Sequence, residues 1–332
     1  MSKLTNLLLE WYKINGRDLP WRVKGGAHSN PYAVLVSEFM LQQTTVKTVK
    51  DYFEKFMKAF PTVKSLAEAS LEDVYQAWQG LGYYTRARSL HQTAQIVCQN
   101  FGGVFPDTKE KVLQLKGIGA YTAASFLAFA FNKPETVVDG NVIRVICRLY
   151  HLTDPSVDIM QEIRQKAEKL TSKEHPADYA SAIMDLGATV CTPKKPQCFR
   201  CPWQASCLST DKKDLEQIPF RKRVNSVSKE GFVYIIRNQK GQVFVRKRTE
   251  KGLLSGLYEF PWSEERLYKK AIQTDITVSH TFTHFHLVLH LVFVSKEDVD
   301  GGEYICLGDF LKYPSSTLMK KVFKALLNVT RS

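Results

Sequence analysis

No stretch of this 332-residue chain approaches the ~18 to 20 uninterrupted apolar residues that a membrane span needs, so no membrane partner is expected. The apolar run at Leu7, Leu8 and Leu9 is too short for the core of a secretory leader, which makes the cytoplasm the expected location. Internal repeats and low-complexity tracts are also missing. Acidic residues run short: 33 Asp and Glu against 46 Lys and Arg leave a net charge of +13. Clustered Lys and Arg gain affinity for phosphates by releasing counterions, so the imbalance points to a polyanionic partner, the plainer alternative being a solvated lysine surface. Cysteine is sparse and odd in number at seven, with Cys98, Cys147 and Cys306 in apolar stretches, which argues against a disulfide framework. With 44% hydrophobic residues the chain has enough apolar material for a large core in two or more domains.

The other four cysteines, Cys191, Cys198, Cys201 and Cys207, are spaced C-x6-C-x2-C-x5-C, with Pro193, Pro196, Pro202, Lys194, Lys195 and Arg200 among them. Such a segment is a loop wrapped around something. A second CxxC pair, usual in a zinc ribbon, is absent, and one CxxC with wide outer gaps suits four thiolates closing on a 4Fe-4S cluster. Zinc, disulfides or free thiols remain the alternatives.

Strand signals are nearly absent from the first 210 residues. Thr62 to Trp78, Arg86 to Asn100, Asp107 to Leu115, Ala120 to Phe131 and Asp139 to Leu149 space apolar residues at three and four, which predicts an all-α region. Residues 210 to 228 are polar and basic, ending in Arg221, Lys222 and Arg223, and read as a linker. Beyond it, Gly231 to Ile236 and Gln242 to Arg246 flank an Asn238–Gly241 turn, Thr281 to Val294 alternates His and Thr with apolar residues, and Leu318 to Leu327 reads as a closing helix. Within the helical part, Leu115-Lys116-Gly117-Ile118-Gly119-Ala120-Tyr121-Thr122-Ala123 sets two glycines around one apolar residue. That pattern permits a tight turn between helices, and the amides entering the second helix can hold a backbone phosphate. Packing alone is the competing explanation for such a turn.

Together with the cysteine loop, this hairpin resembles the helix-hairpin-helix DNA glycosylases of the endonuclease III superfamily. Ser37-Glu38-Phe39-Met40-Leu41-Gln42-Gln43-Thr44, Gly80-Leu81-Gly82-Tyr83-Tyr84 followed by Arg86-Ala87-Arg88, and Val138-Asp139-Gly140-Asn141-Val142-Ile143-Arg144 are similar to the adenine DNA glycosylase (MutY) branch. The resemblance is dense over residues 10 to 210 and thinner beyond. It implies a multidomain fold: an all-α helix-hairpin-helix glycosylase region with an iron-sulfur cluster loop, plus a C-terminal α/β nudix-like domain. The glycosylase region would span 1–210, made of a six-helix barrel at about 22–133 and a cluster domain built from the N-terminal helix with about 134–210. A linker at 211–228 and the nudix-like domain at 229–332 would follow.

The implied activity is base excision of adenine mispaired with 8-oxoguanine, and also with guanine, in double-stranded DNA, by a monomer that leaves an abasic site. Breaking an N-glycosidic bond needs a proton for the departing base and a negative group for the sugar cation, so two carboxylates in unlike surroundings are suitable equipment. Glu38, set among Val34, Leu35, Val36, Phe39, Met40 and Leu41, would be held protonated by desolvation and act as the acid. Asp139, also a good helix cap before Gly140 and Asn141, would stabilise the sugar cation or attack it transiently. Tyr121 stands where bifunctional relatives carry a Schiff-base lysine, so strand cleavage should be weak or absent. Tyr121 and Asn141 would shape the site and order water.

Flipping the adenine out leaves a gap that the resemblance assigns to Gln43 and Tyr83, with the neighbouring Gln42 and Tyr84 not distinguished by sequence. Arg86, Lys116, Gly117 and Gly119 are the further DNA-binding candidates, and Trp21 and Arg22 the implied pocket lining. The loop after them, Gly25 to Asn30, is longer than is usual in the family. Gly252 to Pro261 and His280 to Leu287 carry the nudix-like resemblance, but no REx2EExG helix follows Trp262 to hold Mg2+, so recognition is expected there and not hydrolysis. Phe282, Thr283 and His284 match the turn that contacts the oxidised guanine, with Thr where the family usually has Ser. A metal held by the histidines is the competing reading of this segment. Two other functions stay open at this point: an endonuclease III-like lyase on damaged pyrimidines, and a non-catalytic iron-sulfur protein that binds DNA or senses oxidation.

Overall fold

A computed structural model describes residues 2–23, 25, 29–154, 159–219, 227–250, 252–268, 272–282, 284–294 and 301–329. Thr283, the Gly26-Ala27-His28 part of the long loop, and Arg221 to Arg223 lie outside the described residues. The chain divides into two compact units, Met1–Ala69 with Arg88–Lys222, and Ser70–Ala87 with Arg223–Ser332.

Helices follow one another through the first two thirds of the chain: α1 (Lys3–Asn15), α2 (Pro31–Leu41), α3 (Val46–Ala59), α4 (Val63–Glu68), α5 (Leu71–Trp78), α6 (Tyr84–Phe101), α7 (Lys109–Val112), α8 (Ala120–Phe131), α9 (Gly140–Leu149), α10 (Met160–Leu170) and α11 (Pro176–Thr189). Short polar side chains set their starts, as N-caps satisfy amides that a helix cannot pair internally. Ser2 caps α1, Asn30 ahead of Pro31 caps α2, and a Thr62–Ser65 capping box opens α4. Ser70 caps α5, so the helical pattern read from Thr62 to Trp78 is two helices broken at Ala69. Likewise only Lys109–Val112 of the pattern from Asp107 to Leu115 is α-helical.

In the first unit α2 and α8 are apolar almost all round, and Val34 to Met40 and Thr122 to Ala130 are buried throughout, as expected of central helices. A second core joins Leu8, Leu9 and Tyr12 of α1 to α9, α10 and α11 and to Trp203 and Ile218. The indole N–H of Trp203 donates to Leu4 O at 2.8 Å, which ties the cysteine loop to α1. Part of the stretch read as linker is folded here: Leu215–Gln217 forms a 3-10 turn, and Ile218 is buried with its carbonyl taken by Arg148 Nε at 3.0 Å. Ile218 is the apolar anchor that a reading based on polar composition passes over.

The second unit carries β1 (Val227–Ile236), β2 (Val243–Lys247), β3 (Tyr258–Glu259), β4 (Trp262–Ser263), β5 (Ile272–Thr281), β6 (Phe285–Val294) and β7 (Glu303–Ile305), closed by α12 (Thr317–Val329). One sheet runs β4-β1-β6-β5, with β1 and β6 parallel and the other pairs antiparallel; the other sheet runs β3-β2-β7. Period-two alternation buries both faces of β1, Val233 and Ile235 in one cluster with α12, Tyr234 and Ile236 in another. Residues 70–87 belong to this unit because Gln79 Nε2 donates to Tyr313 O at 3.3 Å, Tyr84 OH donates to Ser315 O at 3.1 Å, and Glu72 pairs with Lys247. Among the described residues no helix is long and apolar enough to cross a membrane.

Candidate active site

A cavity of about 520 Å3 in the first unit gathers residues from five segments, among them Trp21, Arg22, Glu38, Tyr121, Asp139, Asn141 and Arg144. Glu38 reaches it from the third turn of α2 and is only 5% exposed. Its sole hydrogen-bond partner among the described residues is Ser125 of α8, whose Oγ donates to Oε2 at 2.6 Å. Burial pushes the Glu38 carboxyl up to about 7, against the pull of Ser125 and Arg22 and with the help of Asp139. Asp139 is held quite differently. It caps α9, accepting at Oδ1 from Asn141 N at 2.8 Å and Val142 N at 2.7 Å, and at Oδ2 from Asn141 Nδ2 at 2.9 Å. Tyr121, in the first turn of α8, is raised well above the ordinary phenol range by burial and then by the charges of Glu38 and Asp139, so it stays a phenol.

Trp21 and Arg22 form cavity wall. Trp21 is buried edge-on against Phe53 at 5.2 Å, and Arg22 Nη1 lies 2.9 Å from Asp185 Oδ1. Asp185 is fully buried and also accepts from Arg17 N and Arg17 Nε, each at 2.8 Å. Arg144 of α9 donates to Asn141 Oδ1 at 2.9 Å, Gly187 O at 2.6 Å and Cys191 O at 2.8 Å, joining the cavity to the cysteine loop. One turn on, Arg148 is 1% exposed and holds Thr192 O at 2.7 Å, Pro193 O at 3.0 Å and Cys191 Sγ at 3.5 Å.

Cys191, Cys198 and Cys207 all lie close enough to Cys201 to act on its thiol. Burial pushes Cys201 up to about 12, a nearby Trp203 amide opposes this, and Cys191, Cys207 and Cys198 add to it. Among the described residues no three His, Cys, Asp or Glu side chains gather so as to hold a single metal ion, the histidines of β5 and β6 included. Zinc draws its thiolates to about 2.3 Å from one point, whereas a cubic cluster spreads them over four corners. Four thiols on one loop, with Arg148 donating to Cys191 Sγ at 3.5 Å, are a donor set that such a cluster could use.

The DNA-binding candidates divide by exposure. Gln43 is exposed with φ +57° and Tyr83 is 45% exposed with φ +49°, both in the left-handed region that costs non-glycine residues energy. Their neighbours are held inward, Gln42 Nε2 on Thr122 Oγ1 at 3.4 Å and Tyr84 buried on Ser315. Arg86 is 7% exposed; it holds the carbonyls of Leu81 and Gly82 at 3.2 Å and lies over the Trp78 and Tyr83 rings, which makes it a support for the Tyr83 loop instead of a surface contact. In the hairpin, Leu115 and Ile118 are buried while Lys116, Gly117 and Gly119 are exposed, and no side chain caps α8, so its first amides are free to meet an anion. Gly117 has φ +76°, and an added Cβ would come within 2.5 Å of Ser89 Cβ and 3.2 Å of Phe39. Gly117→Ala is expected to cost about 2 kcal/mol or more in a denaturant titration and to weaken duplex binding in proportion. In the second unit, Phe282 N donates to Phe285 O at 2.8 Å and the two rings stack at 4.9 Å, closing the turn beside an exposed His284.

Sequence reasoning passed over Ser125, Arg17, Asp185 and Arg148. Asp185 carried a usable signal, an acid inside the apolar run Ala182-Ile183-Met184-Asp185-Leu186, as Glu38 is in its own; Ser125 and Arg148 carried none, since only the folded chain shows their partners.

Residues 36–172 match the HhH-GPD superfamily base excision DNA repair proteins, and residues 232–325 match a NUDIX domain. The adenine DNA glycosylase of Homo sapiens is 33% identical over 396 residues, an alignment covering 96% of this chain and 72% of the human protein. That of Buchnera aphidicola subsp. Acyrthosiphon pisum (strain APS) is 34% identical, covering 86% and 84%. Among solved structures, a thermostable thymine-DNA glycosylase superposes with a TM-score of 0.55 at 28% identity, over 63% of this chain and 95% of that one. An endonuclease III in a non-covalent DNA complex, at 23% identity and a TM-score of 0.52 over 64% of this chain and 98% of that one, shares the fold. The chain belongs to the adenine DNA glycosylase family of base excision repair enzymes.

Proposed function

We propose that this chain removes adenine opposite 8-oxoguanine, and also opposite guanine, from double-stranded DNA, as a monofunctional glycosylase that leaves an abasic site. The observation that carries the reading is one cavity holding two carboxylates in opposed surroundings, Glu38 buried and raised to about 7 and Asp139 capped by three donors. Glu38, protonated, gives its proton to a ring nitrogen of adenine. The bond from C1′ to the base breaks, its electron pair leaves with the base, and the Asp139 carboxylate offsets the positive charge left on the sugar. Water bonds to C1′ and its released proton returns to Glu38, so the products are adenine and a hydroxylated abasic sugar. Tyr121 supplies a phenol and no amine, which is why no Schiff base and no strand cleavage are expected.

Gln43 and Tyr83, exposed on strained backbone, fill the gap left by the flipped nucleotide, and Lys116, Gly117 and Gly119 hold a phosphate. The turn of Phe282, Thr283 and His284 reads the opposite base. Cys191, Cys198, Cys201 and Cys207 hold a 4Fe-4S cluster, which when bound braces the loop that Arg148 and Arg144 grip. The protein works as a monomer in the cytoplasm.

The test is a single-turnover assay on labelled duplexes with adenine opposite 8-oxoguanine, guanine or thymine. Breaks should appear only after alkali, fastest for the 8-oxoguanine pair, slower for guanine and not at all for thymine. Lys47, an exposed amine that also lines the cavity, makes the alkali-free lane informative: breaks there, trapped by borohydride, would refute the monofunctional reading.

A further inference from the structure

Ser125 lies one turn beyond Tyr121 on α8, in the run Ala123-Ala124-Ser125-Phe126-Leu127, and is completely buried. A hydroxyl in such a place must find partners. It has two acceptors in reach, Glu38 Oε2 at 2.6 Å and the carbonyl of Thr122 at 3.1 Å, and the Tyr121 phenol faces it as well. One proton can serve only one acceptor at a time. With Glu38 ionised, the hydroxyl donates to Oε2, and 2.6 Å is the length expected of a hydroxyl bound to a carboxylate. With Glu38 protonated, the hydroxyl keeps donating to Oε2 while the acidic proton sits on Oε1, from which it can be given to the base. In either state Oε2 stays against α8.

We propose that Ser125 is a positioning residue for base release, fixing Oε2 of Glu38 against α8 in both protonation states so that Oε1 is the oxygen presented to the substrate. The proposal rests on the assignment of Glu38 as the acid. Its groundwork is geometric: Glu38 has no other hydrogen-bonded side chain among the described residues, so without Ser125 its χ angles would be set by packing alone. The charged and titratable groups facing Glu38 are Arg22 from the segment before α2, Asp139 at the head of α9, and Tyr121 of α8. Burial raises the carboxyl, while Ser125 and Arg22 lower it. Removing the hydroxyl therefore has two separable effects, a less well aimed acid and a carboxyl that keeps its proton to higher pH.

Single-turnover adenine release measured from pH 5.5 to 9 for the wild type, Ser125→Ala, Ser125→Thr and Glu38→Gln separates them. For Ser125→Ala the low-pH plateau should drop about tenfold, as expected of a misplaced catalytic group. The pH at which the rate begins to fall should move up by about half a unit or more, in line with the loss of one hydrogen bond to the ionised form. The disadvantage of the variant then shrinks as pH rises. Ser125→Thr keeps the hydroxyl and should keep the wild-type midpoint. A purely structural role would depress the rate equally at every pH, and an unmoved midpoint in Ser125→Ala overturns the proposal. Should the alanine variant melt abnormally, Ser125→Cys, which nearly keeps the volume but donates only weakly, is read in its place with the same direction of shift. If Glu38→Gln itself releases adenine at the wild-type rate, the underlying assignment fails; if it is inactive and the Ser125→Ala midpoint is unmoved, only the role of Ser125 fails.

Discussion

Glu38→Gln should slow single-turnover adenine release by about 100- to 10,000-fold, the range expected for loss of a general acid, while leaving duplex binding within a few-fold. Gln keeps the shape and still accepts from Ser125 Oγ, so the change isolates the proton. The same variant should be more stable than the wild type at alkaline pH. A carboxyl whose folded value is raised binds protons more tightly in the native state, so its favourable contribution is complete below the unfolded value and is lost as pH rises through about 7. At pH 8 the wild type holds a buried charge that Gln does not carry, and the gain is about 1 to 3 kcal/mol at most. A variant that melts higher and reacts more slowly places the loss in chemistry and not in folding. One that is merely unstable would remove the argument.

Arg148→Ala is the second substitution with a large expected effect. The guanidinium is 1% exposed and donates to Ile218 O, Thr192 O, Pro193 O and Cys191 Sγ, so truncation strips the donor from one buried carbonyl, from two on the partly exposed loop and from a sulfur. An unpaired buried acceptor costs about 1 to 3 kcal/mol, and with the smaller losses at the partly exposed acceptors the total should be about 3 kcal/mol. Iron bound per chain should fall well below that of the wild type, and the melting temperature should drop with it. Base release would fail as a consequence, because Arg144 on the same helix joins Cys191 O to Asn141, and Asn141 Nδ2 bonds Asp139. Full iron content with an unchanged melt would show that the loop does not depend on this arginine.

The chemistry-bearing residues were legible where a local pattern carries physical meaning. An acid inside an apolar run pointed to a buried carboxyl at Glu38, Asp139 before Gly140 and Asn141 announced a helix cap, and the spacing from Cys191 to Cys207 announced a wrapped loop. What was hidden depends on contacts distant in sequence. Arg148 is one more basic residue on α9 until Ile218, 70 positions later, comes back to its Nε. That Tyr84 is buried on Ser315 while Tyr83 is exposed depends on a contact 231 positions away, and Arg86, a DNA-binding candidate by resemblance, bonds carbonyls of its own loop. Ser70–Ala87 lies inside the helical stretch matched at residues 36–172, and its clustering with the C-terminal unit rests on contacts such as Gln79 to Tyr313 that no local pattern announces.

The pH dependence of adenine release from a duplex with adenine opposite 8-oxoguanine, under excess enzyme, tests the division of labour between the two carboxylates most directly. The rate should be level at low pH, bend near 7, and fall about tenfold per unit above it, as a single acid with the raised value of Glu38 loses its proton. A rate that stays level from pH 6 to 9 would contradict the account, because it would mean that the proton on the departing base does not come from Glu38.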